Sequence, residues 1–347
     1  MGNLYSNPYC YKNGRLQAES VPLAEIAAAV GTPTYVYSQA ALLAQAAVIR
    51  QATADFAPGG LVCYAVKANG NPALLRLLAQ AGLGADVTSG GELFLALHAG
   101  FAPERILFSG VGKSAVEIRE AIRANIRAIH LESEMEMGVV AEMAQAVGQP
   151  AAVGVRVNPG IEAATHPHIS TGGQAHKFGL PPSQALALIR QAAAHPWLRP
   201  VGLAVHIGSQ ITELAPFAAA ARQLVALARQ LEETGIWLDY LDAGGGLGVA
   251  YETAAPAAAA WIEAVAQPIQ AAGYQLVVEP GRTIVAGCGL LLTCVTYLKQ
   301  QGERPFVIVD AGMTDLLRPA LYDAVHPILP VSEPTDDVRQ FVDVVGP

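Results

Sequence analysis

Short apolar segments recur along the chain from residue 61 onward, and spacers of helix length separate them. The first five segments begin about 22 to 25 residues apart, which is the length of one strand plus one helix. Alternation of this kind is typical of a parallel sheet, and eight such units can close into a barrel. We therefore predict an α/β protein with a (β/α)8 barrel, against the alternative of an open, doubly wound sheet. The eight predicted strands are Leu61–Val66, Gly84–Val87, Ile106–Phe108, Ala128–Leu131, Val153–Val157, Gly202–Val205, Leu238–Leu241 and Leu276–Val278.

The two ends of the chain carry a different pattern. Residues 1 to about 30 contain several tyrosines beside the turn-like Lys12-Asn13-Gly14, followed by a helix-like segment from Val21 to Val30. This pattern predicts one or two short strands and a helix before the barrel. Towards the other end, the longest apolar stretch runs from Ile284 to Leu298, which is shorter than the ~20 residues that a bilayer crossing needs. We interpret it as a buried strand.

Composition and charge restrict the class of partner. Hydrophobic residues make up 52% of the 347 residues and charged residues 14%, and the formal net charge is −8. Nucleic acids and anionic membranes attract a basic face, so we expect neither as a partner and favour a small-molecule ligand. The four cysteines are sparse and lack CxxC spacing, which predicts reduced thiols in a cytoplasmic protein. We expect no secretory signal and no metal site.

Polar residues interrupt the apolar segments mainly at their C-terminal ends. In a barrel of parallel strands these ends open on one face, where such enzymes hold their active sites. Lys67 is the most informative, because a neutral lysine amine can condense with a carbonyl to form a Schiff base. Burial would lower the pKa of its ammonium and favour that neutral form. The alternative is a surface lysine whose stem lies along the strand end. The set comprises Lys67, Asp86, Ser109, Arg156, His206, Asp242 and Glu279.

Two glycine-containing motifs follow the last two strands. The run Gly244, Gly245 and Gly246 could let backbone N–H groups approach a phosphate, and a simple tight turn is the alternative. The second motif is Glu279-Pro280-Gly281-Arg282. A glutamate beside a pyridine nitrogen favours the protonated ring, which is a strong electron sink. An arginine can donate two parallel hydrogen bonds to a phosphate or a carboxylate. For this motif a surface salt bridge is the alternative.

The remaining strand-end residues are ambiguous on their own. His206 could lie flat on a cofactor ring and Ser209 could donate to a phosphate, but a lone histidine at a strand end is more often structural. Asp86 and Arg156 fit either a cofactor site or an ion pair at the barrel mouth without a chemical role. Ser109 and His130 receive no role.

Together these motifs resemble the barrel-type pyridoxal-phosphate decarboxylases, and among them the diaminopimelate decarboxylases. The resemblance covers essentially the whole chain. Two segments, His166 to Gly172 and Leu317 to Tyr322, separate the diaminopimelate enzymes from the ornithine and arginine enzymes. The other motifs run from Tyr64 to Asn69, Gly84 to Glu92, Arg156 to Gly160, Lys177 to Gly179, His206 to Gln210, Leu241 to Gly248 and Glu279 to Arg282.

The resemblance implies a reaction and a set of site residues. The expected reaction is removal of carbon dioxide from meso-2,6-diaminopimelate to give L-lysine, the last step of lysine biosynthesis, with pyridoxal 5′-phosphate as cofactor. Lys67 would hold the cofactor aldehyde, His206 would stack on the ring and Glu279 would face the pyridine nitrogen, with Asp86 and Arg156 also at the cofactor. The phosphate would be held by Ser209, Gly244, Gly245, Gly246, Gly281 and Arg282. The distal end of the substrate would be held by Arg282, Arg318 and Tyr322.

The resemblance also implies the division of the chain and its assembly. The barrel would occupy residues 32–285, and residues 1–31 together with 286–347 would form a partial β-sandwich or β-barrel domain. Family members pair head to tail as homodimers that share their active sites. The family's chain continues beyond Pro347 into a Cys-Glu-Ser-Gly-Asp motif, which supplies the proton-donating cysteine, and a later tyrosine. We therefore expect these 347 residues to be a C-terminally truncated chain with impaired turnover.

Three other functions remain open on the sequence alone. A related pyridoxal-phosphate decarboxylase of the same fold would use the same site on another amino acid. An amino-acid racemase of this fold lacks a carboxylate at the pyridine nitrogen, so Glu279 argues against it. A non-catalytic protein that binds the cofactor belongs to a different class, and a turnover assay separates it from an enzyme.

Overall fold

A computed structural model describes residues 8–161, 177–251, 254–335 and 340–347. The segment His166 to Gly172, which contributed to the family resemblance, lies outside these ranges. The chain divides into two compact units, one containing residues 1–42 and 287–347 and the other residues 43–286. The first elements are β1 (Tyr9–Lys12), β2 (Arg15–Ala18), β3 (Val21–Pro22), α1 (Leu23–Val30), β4 (Thr34–Tyr37) and α2 (Gln39–Phe56).

Eight parallel strands of the second unit form a closed barrel. Each strand pairs with the next along the chain, and the last strand pairs with the first. This arrangement confirms the predicted (β/α)8 barrel and rules out the open sheet. The strands are β5 (Leu61–Ala65), β6 (Gly84–Val87), β7 (Ile106–Phe108), β8 (Ala128–Leu131), β9 (Ala151–Val157), β10 (Leu198–Val205), β11 (Tyr240–Asp242) and β12 (Gln275–Val278). The helices are α3 (Pro72–Gln80), α4 (Gly90–Ala99), α5 (Ala115–Arg123), α6 (Glu134–Val147), α7 (Pro182–Ala194), α8 (Ala215–Glu232), α9 (Ala258–Ala271) and α10 (Arg282–Val285).

The barrel strands are apolar because both of their faces are covered, as expected for a parallel sheet. Every residue of β5 and β6 is buried. Two glycines make room for large polar side chains inside the barrel. A Cβ atom on Gly154 would lie 2.6 Å from the His130 ring, and one on Gly202 would lie 2.5 Å from the Tyr240 ring. The interior of the barrel is therefore a packed core.

Serine caps fix where three of the mouth loops end. The side chains of Ser89, Ser114 and Ser133 each accept a hydrogen bond from a backbone N–H near the start of α4, α5 and α6. Such a cap supplies an acceptor for an N–H group that has no partner within the helix. The loops after β6, β7 and β8 therefore have defined lengths, which sets the positions of the polar side chains at those strand ends.

Short strand pairings organise the first unit, and they are mostly antiparallel. β1, β2 and β3 form one sheet, and β4 pairs with β13 (Gly289–Leu292). β14 (Val295–Gln301), β15 (Arg304–Val309) and β16 (Asp343–Val345) form another sheet, with α11 (Arg318–Tyr322) between β15 and β16. Because β4 pairs with β13, the compact barrel unit begins at Leu43, later than the boundary drawn at residue 32 from the sequence.

The prediction of one buried strand from Ile284 to Leu298 is wrong. The stretch contains the end of α10, all of β13 and the start of β14. Every residue of β14 is exposed, although the segment is rich in apolar side chains. Within the described ranges, no helix combines the length and apolar character that a membrane crossing requires.

Candidate active site

Lys67 lies in a single 3-10 turn that follows β5, and it contacts an acid on the neighbouring strand β6. Its Nζ atom donates a hydrogen bond to Asp86 Oδ2 at 3.1 Å. The Lys67 side chain is 46% exposed, whereas that of Asp86 is fully buried. Burial alone would favour the neutral amine, but the Asp86 and Glu279 carboxylates outweigh it and raise the pKa of Lys67. Burial thus acts in the predicted direction, but the net shift is upward and the acidic neighbours hold Lys67 as an ammonium.

His206 directly follows β10, and its imidazole is neutral. Burial lowers the pKa of His206 well below its usual value, and the positive charges of Lys67 and Arg156 lower it further. The backbone N–H of Gly245 points at Nδ1 at 3.4 Å, and Glu279 Oε2 lies 4.0 Å from the same nitrogen. Because the ring is neutral, its contact with Glu279 is not an ion pair. A flat, uncharged ring therefore lies beside the acid at the mouth.

Glu279 follows β12 and retains its proton more strongly than an ordinary glutamate. Burial raises its pKa well above the usual value, and the nearby acids Asp242 and Asp86 raise it further. Asp242, at the end of β11, is fully buried, and burial raises its pKa to about 7. The mouth thus holds three buried acids on the strand ends β6, β11 and β12.

Arg156, near the end of β9, is engaged in a buried ion pair. Its Nη1 atom lies 2.9 Å from Glu132 Oε1, and the two side chains are 10% and 3% exposed. The other Glu132 oxygen accepts a hydrogen bond from the Gly179 backbone N–H at 2.7 Å. The Arg156 guanidinium also lies over the Phe178 ring at 4.7 Å. Glu132 therefore joins the ends of β8 and β9 to the segment that leads into α7.

Removal of the buried Glu132 carboxylate should destabilise the protein far more than removal of an exposed carboxylate. We expect Glu132→Ala to lower the free energy of unfolding by roughly 3–5 kcal/mol, because Arg156 would be left buried without its counter-charge. Asp239→Ala is the matched control, since Asp239 pairs with Arg199 at 3.1 Å but both side chains are about 60% exposed. That change should cost less than about 1 kcal/mol. Urea unfolding of both variants measures the two losses, and similar small values would contradict the buried pair's role.

The glycine run holds three strand ends together by close packing. A Cβ atom on Gly244 would lie 2.2 Å from the Val205 carbonyl oxygen, and one on Gly245 would lie 2.0 Å from the Glu279 carbonyl oxygen. Gly246 has the same constraint, with the Gly208 carbonyl oxygen at 2.1 Å, and its φ of 105° favours glycine as well. No other residue fits these positions. The run therefore fixes the spacing between the loops that carry His206 and Glu279.

The remaining predicted phosphate residues lie on neighbouring loops of the same mouth. Ser209 is half-buried in the loop after β10, and Gly281 immediately precedes α10. Arg282 begins α10, and its Nη1 atom donates to the Tyr251 hydroxyl at 3.2 Å. The Arg282 Nε atom is buried and has no hydrogen-bond partner among the described residues. It is a donor suited to an anion.

Arg318 and Tyr322, the predicted substrate residues, begin and end α11 in the unit formed by the chain ends. The Arg318 Nη1 atom lies 3.2 Å from His326 Nε2.

Sequence reasoning missed Glu132 and a buried lysine, Lys113. Glu132 directly follows β8, so the strand-end rule that selected Asp86 and Glu279 would have found it. Lys113 has a fully buried side chain and pairs with Glu136 at 2.7 Å. It lies in the loop after β7, and only the structure shows that it is buried.

Comparison with known proteins is consistent with this arrangement. Residues 44–286 match the family model described as "Pyridoxal-dependent decarboxylase, pyridoxal binding domain". The diaminopimelate decarboxylase of Aquifex aeolicus is 42% identical over 98% of this chain and 81% of its own length. That of Zymomonas mobilis is 44% identical over the same shares.

Solved structures give the same assignment. Diaminopimelate decarboxylase from Helicobacter pylori, complexed with L-lysine, superimposes with a TM-score of 0.88 at 40% identity and covers 94% of this chain and 81% of that one. The enzyme from M. jannaschii in co-complex with L-lysine gives 0.91 at 34% identity over 97% and 80%. Fold, cofactor domain and sequence agree, so this chain belongs to the diaminopimelate decarboxylase family of pyridoxal-dependent decarboxylases.

Proposed function

We propose that this protein removes carbon dioxide from meso-2,6-diaminopimelate to give L-lysine, using pyridoxal 5′-phosphate. The observation that carries the proposal is the meeting of Lys67 and Glu279 at one barrel mouth. They follow β5 and β12, which are adjacent only because the barrel closes. An amine that can hold an aldehyde and an acid that can face a pyridine nitrogen are the two groups that this cofactor requires.

The described residues fit this cofactor. The Lys67 amine is reachable from the mouth, since its side chain is 46% exposed. The unpartnered Arg282 Nε atom suits a phosphate oxygen, which would relieve the cost of a buried donor without a partner. The neutral imidazole of His206 offers a flat surface for an aromatic ring. These groups come from different strand ends, so together they could contact the aldehyde, the ring and the phosphate.

The residues at the barrel mouth would bind and orient the cofactor and stabilise a proton on its ring. When bound, the cofactor would supply the electron sink that loss of carbon dioxide requires. Lys67 would hold the aldehyde, and Asp86 would orient the amine through its 3.1 Å contact. Glu279 would stabilise a proton on the pyridine nitrogen. His206 would pack on the ring and help to exclude water from that face.

Two further groups of residues would hold the ends of the ligands. Backbone N–H groups near the glycine run and Gly281, with Ser209 and Arg282, would bind the phosphate. Arg282, Arg318 and Tyr322 would bind the distal carboxylate and amine of the substrate. The distal groups distinguish diaminopimelate from shorter or singly charged amino acids.

A turnover assay tests the reaction. The protein loaded with cofactor is incubated with meso-diaminopimelate, and carbon dioxide and L-lysine are measured. Parallel reactions with L-ornithine, L-arginine and L-lysine test the related decarboxylases. Faster carbon dioxide release from any of these would transfer the assignment to that substrate. Bound cofactor without turnover of any substrate would favour the non-catalytic binding protein.

Changing the proposed substrate residues should affect substrate use and leave the cofactor in place. We expect Arg318→Ala or Tyr322→Ala to lower kcat/KM by roughly 5- to 150-fold, which corresponds to about 1–3 kcal/mol, because a charged or polar substrate group loses its partner. The absorption of the bound cofactor should stay unchanged. Arg304→Ala is the control, since Arg304 pairs with Asp343 on the exposed sheet of the same unit. Loss of cofactor with normal kinetics in the remaining loaded protein would reverse the assigned roles.

We also propose that the protein is a cytoplasmic homodimer with shared active sites. The slow turnover expected for these 347 residues also stays a prediction. Sedimentation of the protein with bound cofactor tests whether it is a dimer, and the carbon dioxide assay measures the turnover rate.

A further inference from the structure

We propose that Asp242 is a positioning residue that shares one proton with Glu279, and that this pair sets the protonation of the cofactor's pyridine nitrogen. The proposal rests on the proposed role of Glu279 at that nitrogen. It adds a residue that would act on the ring only through Glu279.

The backbone brings the two acids together. Asp242 ends β11 and Glu279 follows β12, and these strands pair with Asp242 opposite Val277. The Glu279 backbone N–H donates to the Gly244 carbonyl at 2.7 Å, which draws the two strand ends together. One oxygen of Asp242, one oxygen of Glu279 and one ring nitrogen of His130 lie within 4.8 Å of one another. Both acids are buried, at 0% and 6% exposure.

The hydrogen bonds of Asp242 point to a proton shared between Asp242 and Glu279. Asp242 Oδ1 accepts from the Gly244 backbone N–H at 2.8 Å. Asp242 Oδ2 is buried and has no donor among the described residues. Two carboxylates can only accept, so they cannot bond to each other until one of them carries a proton. A single shared proton supplies the missing donor.

The neighbouring histidine does not supply that proton. His130 Nδ1 lies 3.3 Å from the Ser109 hydroxyl, and Nε2 lies 2.8 Å from the Tyr240 hydroxyl. Both ring nitrogens are therefore engaged. Burial lowers the pKa of His130 to about 3, so the ring is neutral.

The surrounding charges also favour retention of one proton. Asp86 is a third buried acid beside this pair, and its hydrogen bond is with Lys67. Lys67 and Arg127 are the positive groups that act on the two acids. His206 is neutral, and burial also keeps Cys63 and Tyr240 neutral by raising their pKa values. Adjacent acids in such surroundings cannot both ionise readily, so one proton stays with the pair.

This proton is available to a pyridine nitrogen placed beside Glu279. Transfer from the Glu279 carboxyl oxygen to the nitrogen breaks one O–H bond and forms one N–H bond. The pair changes from one negative charge to two, and the ring gains one positive charge, so the total charge is conserved. Gly244 continues to stabilise Asp242 as a carboxylate. The second negative charge then strengthens the hold on the ring proton.

The test measures the protonation of the ring nitrogen in protein with bound pyridoxal phosphate. Protein holding pyridoxal phosphate with a ¹⁵N-labelled ring is titrated with base, and the nitrogen chemical shift reports protonation. In Asp242→Asn, we expect the ring to lose its proton at a pH roughly one to three pH units lower than in the wild type. Asparagine keeps an acceptor for Gly244 and a donor for Glu279 but removes the second charge. Asp239→Asn, at an exposed site before β11, should titrate like the wild type.

A titration of Asp242→Asn that coincides with the wild type would overturn the proposal. Should that variant fail to fold, the wild type provides a second measurement. Infrared spectra of the cofactor-depleted wild type should show a neutral carboxyl band that disappears on loading with cofactor, and absence of this band in the depleted protein would also overturn it. Neither measurement involves diaminopimelate, so a failure to decarboxylate it would contradict the proposed function without affecting this result.

Discussion

In the Lys67→Ala variant, we expect borohydride reduction to leave no cofactor attached to the chain and carbon dioxide release to fall below detection. Reduction fixes only a cofactor that is bound covalently to an amine, and alanine offers none. Intact-mass measurement after reduction checks the first result, because the wild type should gain the mass of one reduced cofactor. The carbon dioxide assay checks the second.

Two comparisons make this result specific to Lys67. Lys299→Ala removes an exposed lysine from β14 and should leave the adduct intact. Trypsin digestion of the reduced wild type should place the adduct in the peptide of residues 51–76, since modified Lys67 is no longer cleaved. An adduct that persists in Lys67→Ala, or that maps to the buried Lys113, would disprove the assignment.

Glu279→Gln should lower kcat by on the order of 10²–10³-fold, the range seen when one preorganised electrostatic contact is lost from an active site. Glutamine has nearly the same shape but carries no negative charge, so it cannot stabilise a protonated ring nitrogen. The cofactor should stay bound because Lys67 is unchanged. Carbon dioxide release at saturating substrate, together with the absorption of bound cofactor, measures both effects.

The control for this change is Glu263→Gln, which removes a glutamate from an exposed position on α9. It should leave kcat near the wild-type value. If Glu279→Gln also retains wild-type kcat, the ring nitrogen does not depend on this acid, and the pairing of Glu279 with Asp242 would have no bearing on the reaction.

The barrel could be predicted from the sequence because its strands have a strong local signal. Segments such as Leu61–Val66 and Ala128–Leu131 are apolar throughout, as strands covered on both faces must be. Helix-length spacers separate them, and polar side chains follow them. The apolar stretch from Ile284 to Leu298 was wrongly predicted as one strand, because hydrophobicity alone does not show where the chain turns. The stretch covers parts of three different elements.

The electrostatics of the mouth could not be predicted in the same way. The pKa of Lys67 depends on Asp86, which lies on another strand, and the sequence does not show that the two meet. The partner of Arg156 is set by the alignment of β8 with β9, which places Glu132 within 2.9 Å. Local patterns therefore identify candidate residues, whereas their charge states follow from contacts between strands.

Closure of the barrel between β12 and β5 has a consequence for protein synthesis. Lys67 emerges from the ribosome early, whereas Glu279 and Arg282 are among the last residues of the barrel to be made. A nascent chain therefore carries the reactive amine long before it has the acid and the guanidinium that would complete the site. Until then, Lys67 is only an ordinary lysine, and retention of the cofactor depends on synthesis having passed the end of the barrel.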